Sequence, residues 1–294
     1  CGVTLLRDAG DRFGVNHLLR AEAADPGSGL PAIRSAGLGV KRPGRYGSFM
    51  ATDVGDRAEI VATVKRLAAA SDDIKIVLTG IVDFAKGAVA DEPQFSIDEA
   101  ALIAQTAREA GRRSFAHCSG ENGLAVAVAA GFDSIEHGYF ISREILAVMA
   151  NKGMAWTPTF SPVHFQCARP EVAGWPAAAV ANLRRILDQH AVHVRLAEQV
   201  GVTILIGTDA GSMGVEHGVS VVDEIHRFLA AGLRLESALR SATSAPRRQW
   251  GARPLLLEKG QVFDAVLLEA SPFDRPDNLR RVKAVFRAGT PLTM

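Results

Sequence analysis

Residues 130–140 read AGFDSIEHGYF: a run of small apolar residues closes on a glycine, a short strand pattern climbs through Ile135, and the segment stops on Glu136, His137 and Gly138. Three other stretches follow the same order: EAGRRSFAHCSG (109–120), NKGMAWTPTF (151–160) and QVGVTILIGTDAG (199–211). In each, a helical pattern ends on a glycine suited to the left-handed position after a helix. A few strand-forming residues follow, and a polar group comes last. Gly111 to His117, Gly131 to His137 and Gly153 to Thr159 each span six residues, and Gly201 to Asp209 spans eight. Polar groups at similar distances along successive parallel strands share one rim.

Working outward, further strand patterns lie at Val3 to Arg7, weakly near Pro31 to Ala36, and at Ile74 to Leu78. Helical patterns separate them. SIDEAALIAQTAREAGRR opens with Ser96 and has Glu99 three residues later, the signature of a capping box. SREILAVMANKG starts at a capping serine, Ser142, and VDEIHRFLAAG and LESALRSAT supply two more helices. Strands alternating with helices make right-handed βαβ units and a parallel sheet. Two α/β architectures satisfy that pattern, an open doubly wound sheet and a (β/α)8 TIM-type barrel. Polar residues at the ends of four strands favour the barrel, whose active sites are built on that rim, whereas an open sheet concentrates its chemistry at one switch point. No GxGxxG, GxxxxGK[ST] or GxSxG motif points to a dinucleotide, a P-loop or a nucleophile elbow. The expected organisation is a barrel over residues 1–252, with short extended segments over 253–294 lying outside it. Residues 26–47, rich in glycine and proline, read as a long loop around the weak strand, of the kind that lines substrate sites.

The balance of 33 basic and 32 acidic residues gives no electrostatic reason to expect nucleic acid or a membrane surface as partner. A small-molecule substrate is the expectation, with a homo-oligomer left open. No apolar run reaches the roughly 18–20 residues that span a bilayer, and a cytoplasmic location is expected. Cys1, Cys118 and Cys167 have neither the spacing nor the number for a disulfide framework or a thiolate zinc site. His117 and Cys118 are not read as a base and nucleophile, because adjacent strand residues point to opposite faces.

A divalent transition metal needs several lone-pair donors converging within about 2.0–2.3 Å of one point, and imidazole with carboxylate is the usual set for zinc. His117, His137 and Asp209 offer such donors from three strand ends; the competing reading makes them loop hydrogen-bonders around glycine turns. His217, Tyr46 and Arg45 lie in flanking loops. There a histidine or tyrosine suits the polarising of a carbonyl, and Arg45 suits the clamping of a carboxylate.

SIEHG, GTDAGS, the Lys75 of DDIKIVLTG and GVTLLRDAG, with GVEHG, EIHRFLAAGLRLESALRSAT and GQVFDAVLLEASPF, resemble the amidohydrolase superfamily of metal-dependent hydrolases. The likeness is to its imidazolonepropionase-like and Xaa-Pro dipeptidase-like branch, and it runs over nearly the whole chain. It implies a TIM-type barrel whose C-terminal segment returns to a small β-sandwich. It implies metal ligands at His117, His137 and Asp209, on the fifth, sixth and eighth strands of such barrels. Lys75 falls where the branch carries a lysine carboxylated by carbon dioxide, bridging two metals. Asp209 is then also the general base and acid of hydrolysis, His217 faces substrate, and the cofactor is one or two divalent ions, zinc foremost.

One feature departs from the family. Its first strand carries His-x-His, and no HxH occurs in this sequence. The chain begins at Cys1 almost inside an apolar strand, so the expectation is a fragment: a barrel lacking strand 1, holding strands 2 to 8 and a remnant of the sandwich. The leading reading is a metal-dependent hydrolase that cleaves a C–N bond of a linear or cyclic amide. Two others stand beside it: a catalytically incompetent fragment or binding protein retaining the fold, and a metal-free barrel enzyme using His137 and Asp209 as an acid–base pair.

Overall fold

A computed structural model of the chain describes residues 1–89 and 91–292. Strand β1 (Leu5–Asp8) leads through helix α1 (Val15–Glu22) to β2 (Ala32–Ser35), β3 (Gly39–Lys41) and β4 (Ala51–Asp53), then helix α2 (Arg57–Ala70) and β5 (Asp73–Val77). A hairpin of β6 (Val82–Asp83) and β7 (Ala88–Val89) precedes α3 (Ile97–Glu109), β8 (Arg113–Cys118), α4 (Glu121–Ala130), β9 (Ser134–His137), α5 (Arg143–Lys152) and β10 (Ala155–Thr157). Helices α6 (Ser161–Ala168), α7 (Pro170–Ala173) and α8 (Ala177–Val200) lead to β11 (Thr203–Ile204). Helices α9 (Ser220–Ala230), α10 (Leu235–Ala242) and α11 (Ser244–Gln249) follow, then β12 (Ala265–Leu268), β13 (Val282–Arg287) and β14 (Thr290–Leu292).

Seven strands form a parallel sheet in the order β11-β10-β9-β8-β5-β3-β4, and β1 pairs in parallel with β2. This is the α/β, TIM-type arrangement expected, and the sheet does not close on itself. The third strand is more than the weak segment anticipated. It breaks at Gly37 (φ 60°), so that β2 bonds β1 while β3 bonds β5. The Asp72 amide donates to the Ser35 carbonyl at 2.9 Å and ties β2 to the start of β5. Part of the supposed long loop is therefore strand.

Alternation along the strands decides what faces where. Ile74, Ile76, Ala116, Cys118, Ile135 and Trp156 point outward, where they pack with Ile60, Val64, Ile103, Leu124 and Leu146 of the helices in one continuous core. Their neighbours Lys75, Phe115, His117, Ser134 and Glu136 point inward. Local signals hold the helices in place: Ser96 and Glu99 form the reciprocal capping box, Ser142 caps α5, and Gly131 and Gly153 end α4 and α5 in the left-handed conformation. The C-terminal strands form an antiparallel sheet in the order β12-β13-β14. Its Arg287, nearly buried, donates to the carbonyls of Ala23, Asp25 and Leu30 and fastens that sheet to the segment between α1 and β2. Among the described residues, no helix is long and apolar enough to cross a membrane.

His190 of α8 is 1% exposed, with its ring centroid 4.3 Å from Tyr139, 4.8 Å from Phe160 and 5.2 Å from Trp156. Among the described residues, neither ring nitrogen has a hydrogen-bond partner, and burial holds its pKa well below 6.5. The unfolded chain takes up a proton below pH 6.5 that the folded chain refuses, so the imidazole adds a pH-dependent cost as the pH falls through that value, on top of the constant cost of its unpartnered nitrogens. The stability difference between His190→Phe and the parent is expected to be constant above about pH 7.5 and to grow in favour of the variant by about 1.4 kcal/mol per pH unit below 6.5. Urea unfolding midpoints between pH 5 and pH 8 check this.

Candidate active site

Strands β5, β8 and β9 bring three sequence-identified residues into the barrel interior. Val77 pairs with His117, and His117 with Glu136, so the strand ladder sets Cys118 rather than His117 opposite His137. Equal spacing from the glycines therefore does not give equal height: His137 stands one residue beyond His117, on the parity that alternation would send outward. Its backbone turns it back. His137 has φ 68°, in the left-handed region that L-residues seldom occupy, and the two imidazoles meet edge to face with centroids 4.6 Å apart. Cys118 points into the helix-facing core, where burial pushes its thiol up, so it is no nucleophile for His117.

His137 Nδ1 lies 2.7 Å from Thr159 Oγ1, and among the described residues the buried Nε2 of His117 has no hydrogen-bond partner. Burial holds His117 well below 6.5, and the neighbouring His137 and Lys75 lower it further. Burial lowers His137 too, against the opposing pull of Asp209 and Glu136. Both rings are neutral near pH 7, the state with a lone pair to give.

Lys75 is 2% exposed and lies with Nζ 4.9 Å from the centroid of the Phe115 ring. Burial brings its pKa down to about 8, with Glu136 and Asp209 opposing and Arg7 assisting. Gly39 on β3 makes room for this side chain: a Cβ there would stand 2.9 Å from Lys75 Cγ. Beneath lies an ion pair that sequence reasoning missed. Arg7 Nη2 donates to Glu136 Oε1 at 2.7 Å, Ser134 Oγ donates to the same oxygen at 2.8 Å, and the guanidinium covers Phe115 at 3.9 Å. Burial pushes Glu136 up, but Arg7, Lys75 and the Ser134 hydroxyl together pull it below the usual carboxylate range. The signal was present, since Ser134 and Glu136 alternate on a strand whose Ile135 is apolar.

Asp209 follows β11 on an exposed turn with φ 53°, accepting from the Ser212 hydroxyl at 2.9 Å. It is the shared negative neighbour of the site, acting on Lys75, His137, Tyr46 and Tyr139. Tyr46 reaches in from the loop after β3, its ring 5.4 Å from His117, and burial with Asp209 nearby pushes its phenol up to about 12. Arg45 turns the other way, its guanidinium on the Glu92 carbonyl. His217 is exposed, with its Cε1 4.0 Å from where a Gly211 Cβ would stand.

Thr159 is itself held from behind. Its carbonyl accepts from the Tyr139 hydroxyl, and the next two residues, Phe160 and Ser161, donate their amides to the buried carboxylate of Glu224 on α9. Burial pushes Glu224 up to about 7 against those hydrogen bonds. Nothing in the local sequence marked Glu224 or Tyr139, because their role depends on α9 and β10 meeting in space.

A profile described as "Amidohydrolase family" matches residues 3–292. The chain belongs to the amidohydrolase family. An uncharacterised protein of Mycobacterium tuberculosis is 30% identical to this amidohydrolase over 288 residues, 98% of this chain and 75% of that one. An ochratoxinase of Aspergillus niger is 28% identical over 265 residues, covering 87% of this chain and 54% of its own. In structure, the amidohydrolase is similar to a Xaa-Pro dipeptidase with methionine bound in its active site: TM-score 0.84, 25% identity, 98% of this chain and 74% of that one.

The donor set fits the divalent ion on which this family generally depends. Two neutral imidazoles face each other, one with an unpartnered buried Nε2, beside an amine that sheds its proton readily and a carboxylate on the rim. Among the described residues, no three His, Cys, Asp or Glu side chains are drawn into one metal-binding cluster. The interior lysine is thus the group on which a third ligand would depend.

Thr159→Val removes the oxygen beside His137 Nδ1 and is expected to blur the preference for one ring tautomer. Nitrogen NMR of the His137 ring checks this, and metal affinity is expected to fall by about 10–100-fold.

Proposed function

We propose that this amidohydrolase cleaves the C–N bond of a linear or cyclic amide in a metal-dependent reaction, with zinc as the ion. The observation that carries the reading is the pair of neutral imidazoles meeting edge to face, His117 buried and His137 partly so, with His117 Nε2 free among the described residues. His117, His137, Lys75 and Asp209 would hold the ion. When bound, such an ion supplies Lewis acidity, polarising the scissile carbonyl and allowing a water molecule to ionise near neutral pH.

The chain's own residues do the rest. Asp209, exposed at the rim, takes the proton of the attacking water and hands it to the leaving nitrogen. Tyr46 stays protonated because its phenol is pushed up to about 12, so it donates a hydrogen bond to the carbonyl oxygen as negative charge develops there. Lys75, lowered to about 8, is neutral in a far larger share of molecules near neutral pH than an ordinary lysine. The neutral amine adds carbon dioxide and releases a proton, giving an anionic oxygen ligand. Names of relatives agree with amide chemistry, since a Xaa-Pro dipeptidase cuts a peptide bond.

The test is metal analysis of purified protein, then a screen of N-acyl amino acids, dipeptides and cyclic amides with and without chelator. The expected outcome is bound divalent metal, turnover abolished by chelator and restored by zinc, and a loss of at least about a thousandfold in kcat for Asp209→Asn. Metal without turnover, or turnover indifferent to chelator, contradicts the reading.

A further inference from the structure

Tyr46 and His117 lie 71 residues apart in sequence, yet one run of hydrogen bonds joins their backbones. Leu78, directly after β5, donates its amide to the His117 carbonyl at 3.0 Å, and the Leu78 carbonyl accepts from the Gln94 amide at 2.7 Å. The Gln94 side chain, in a residue only 6% exposed, then crosses to the loop between β3 and β4. Its Nε2 donates to the Tyr46 carbonyl at 3.1 Å, and its Oε1 accepts from the Arg42 amide at 2.9 Å. The partners dictate which way the amide faces, since a backbone N–H can only donate and a carbonyl can only accept. Gln94 therefore has its main chain tied to the strand register of His117 and its side chain tied to both ends of the segment 42–46.

Neighbouring contacts hold this clasp. Arg42 donates Nε to the Gln94 carbonyl at 3.3 Å and Nη1 to the Val54 carbonyl at 3.0 Å. Its Nη2 pairs with Glu99, the residue that completes the capping box of α3, so the helix start steadies the same turn. Arg45 adds a second tie to the segment after β5 through the Glu92 carbonyl. Gly47 lets the loop lie close: it has φ 109°, and a Cβ there would stand 2.9 Å from Cγ2 of Val77, the strand partner of His117. We infer that Gln94 is a positioning residue, setting the Tyr46 ring 5.4 Å from His117 so that the phenol meets the acyl oxygen of a bound amide. The role of the phenol rests on the hydrolase reading, whereas its placement by Gln94 does not.

The chain has two tyrosines, Tyr46 and Tyr139, so isotopic labelling of tyrosine rings gives two sets of NMR signals, assigned with Tyr46→Phe. In the full chain, Gln94→Glu keeps the shape and the acceptor for the Arg42 amide but loses the donor to Tyr46, and Gln94→Met loses both. Each is expected to move the Tyr46 signals toward those of free tyrosine and to erase their Overhauser contact with the His117 ring. The Tyr139 signals, from a ring packed on His190 in the core, are expected to stay in place. Unmoved Tyr46 signals in Gln94→Glu would overturn the assignment. So would Tyr139 signals that move with them, which would make Gln94 a general prop of the fold. In turnover, Gln94→Met is expected to lower kcat by about 10–100-fold with KM within about threefold, and the loss to vanish in a Tyr46→Phe background. Additive losses in the double variant would contradict action through Tyr46. The NMR signals need no catalysis, so absence of chelator-sensitive turnover counts against the hydrolase reading alone.

Discussion

The packing of His117 against His137 is the interaction from which the rest of the site follows. Leaving a buried nitrogen without a partner costs roughly 1–3 kcal/mol, and a folded chain seldom keeps such a group without a use for it. Here Thr159 occupies one nitrogen of His137, and the buried Nε2 of His117 has no partner among the described residues. The left-handed backbone at His137 serves the same end, since a regular strand would have directed that ring away from the interior. Backbone strain at this one residue and an orphaned atom on its neighbour both point toward a ligand between them.

Beneath the imidazoles, the barrel interior handles charge in layers. A buried ion pair is costly to desolvate and tolerable only when its remaining hydrogen-bonding capacity is met. Arg7 and Glu136 achieve this with Ser134 and the face of Phe115. Because that pair is nearly self-contained, Lys75 is left with an aromatic neighbour and no ion pair among the described residues. Its amine is therefore readily neutral, the state that carbamate chemistry requires. Rigidity comes from the other side as well, where Glu224 collects the amides of Phe160 and Ser161 and so holds Thr159 against His137.

Much of this was legible in sequence because it is local. Gly111, Gly131, Gly153 and Gly201 marked the helix-to-strand passages, Ser96 with Glu99 marked a capping box, and His117, His137, Thr159 and Asp209 stood at the strand ends. What escaped reading is non-local. The division of the third strand at Gly37 depends on two different partner strands, and the register that lifts His137 one residue above His117 is a property of the ladder. Arg7 reads as the end of a strand until Glu136 is found 2.7 Å away, across 129 residues of chain. Arg45 shows the converse, a residue of suitable type in a suitable loop whose side chain the fold directs elsewhere.

The central claim is that His117 and His137 together present free ring nitrogens to one cation. Titration with cobalt(II), followed by visible absorption, tests it most directly, since the ion reports its ligands through its colour without any need for catalysis. The account predicts an absorption band that saturates at one or two ions per chain and is lost in His117→Asn and in His137→Asn alike. A protein that develops no band, or one whose band survives either substitution unchanged, would contradict it.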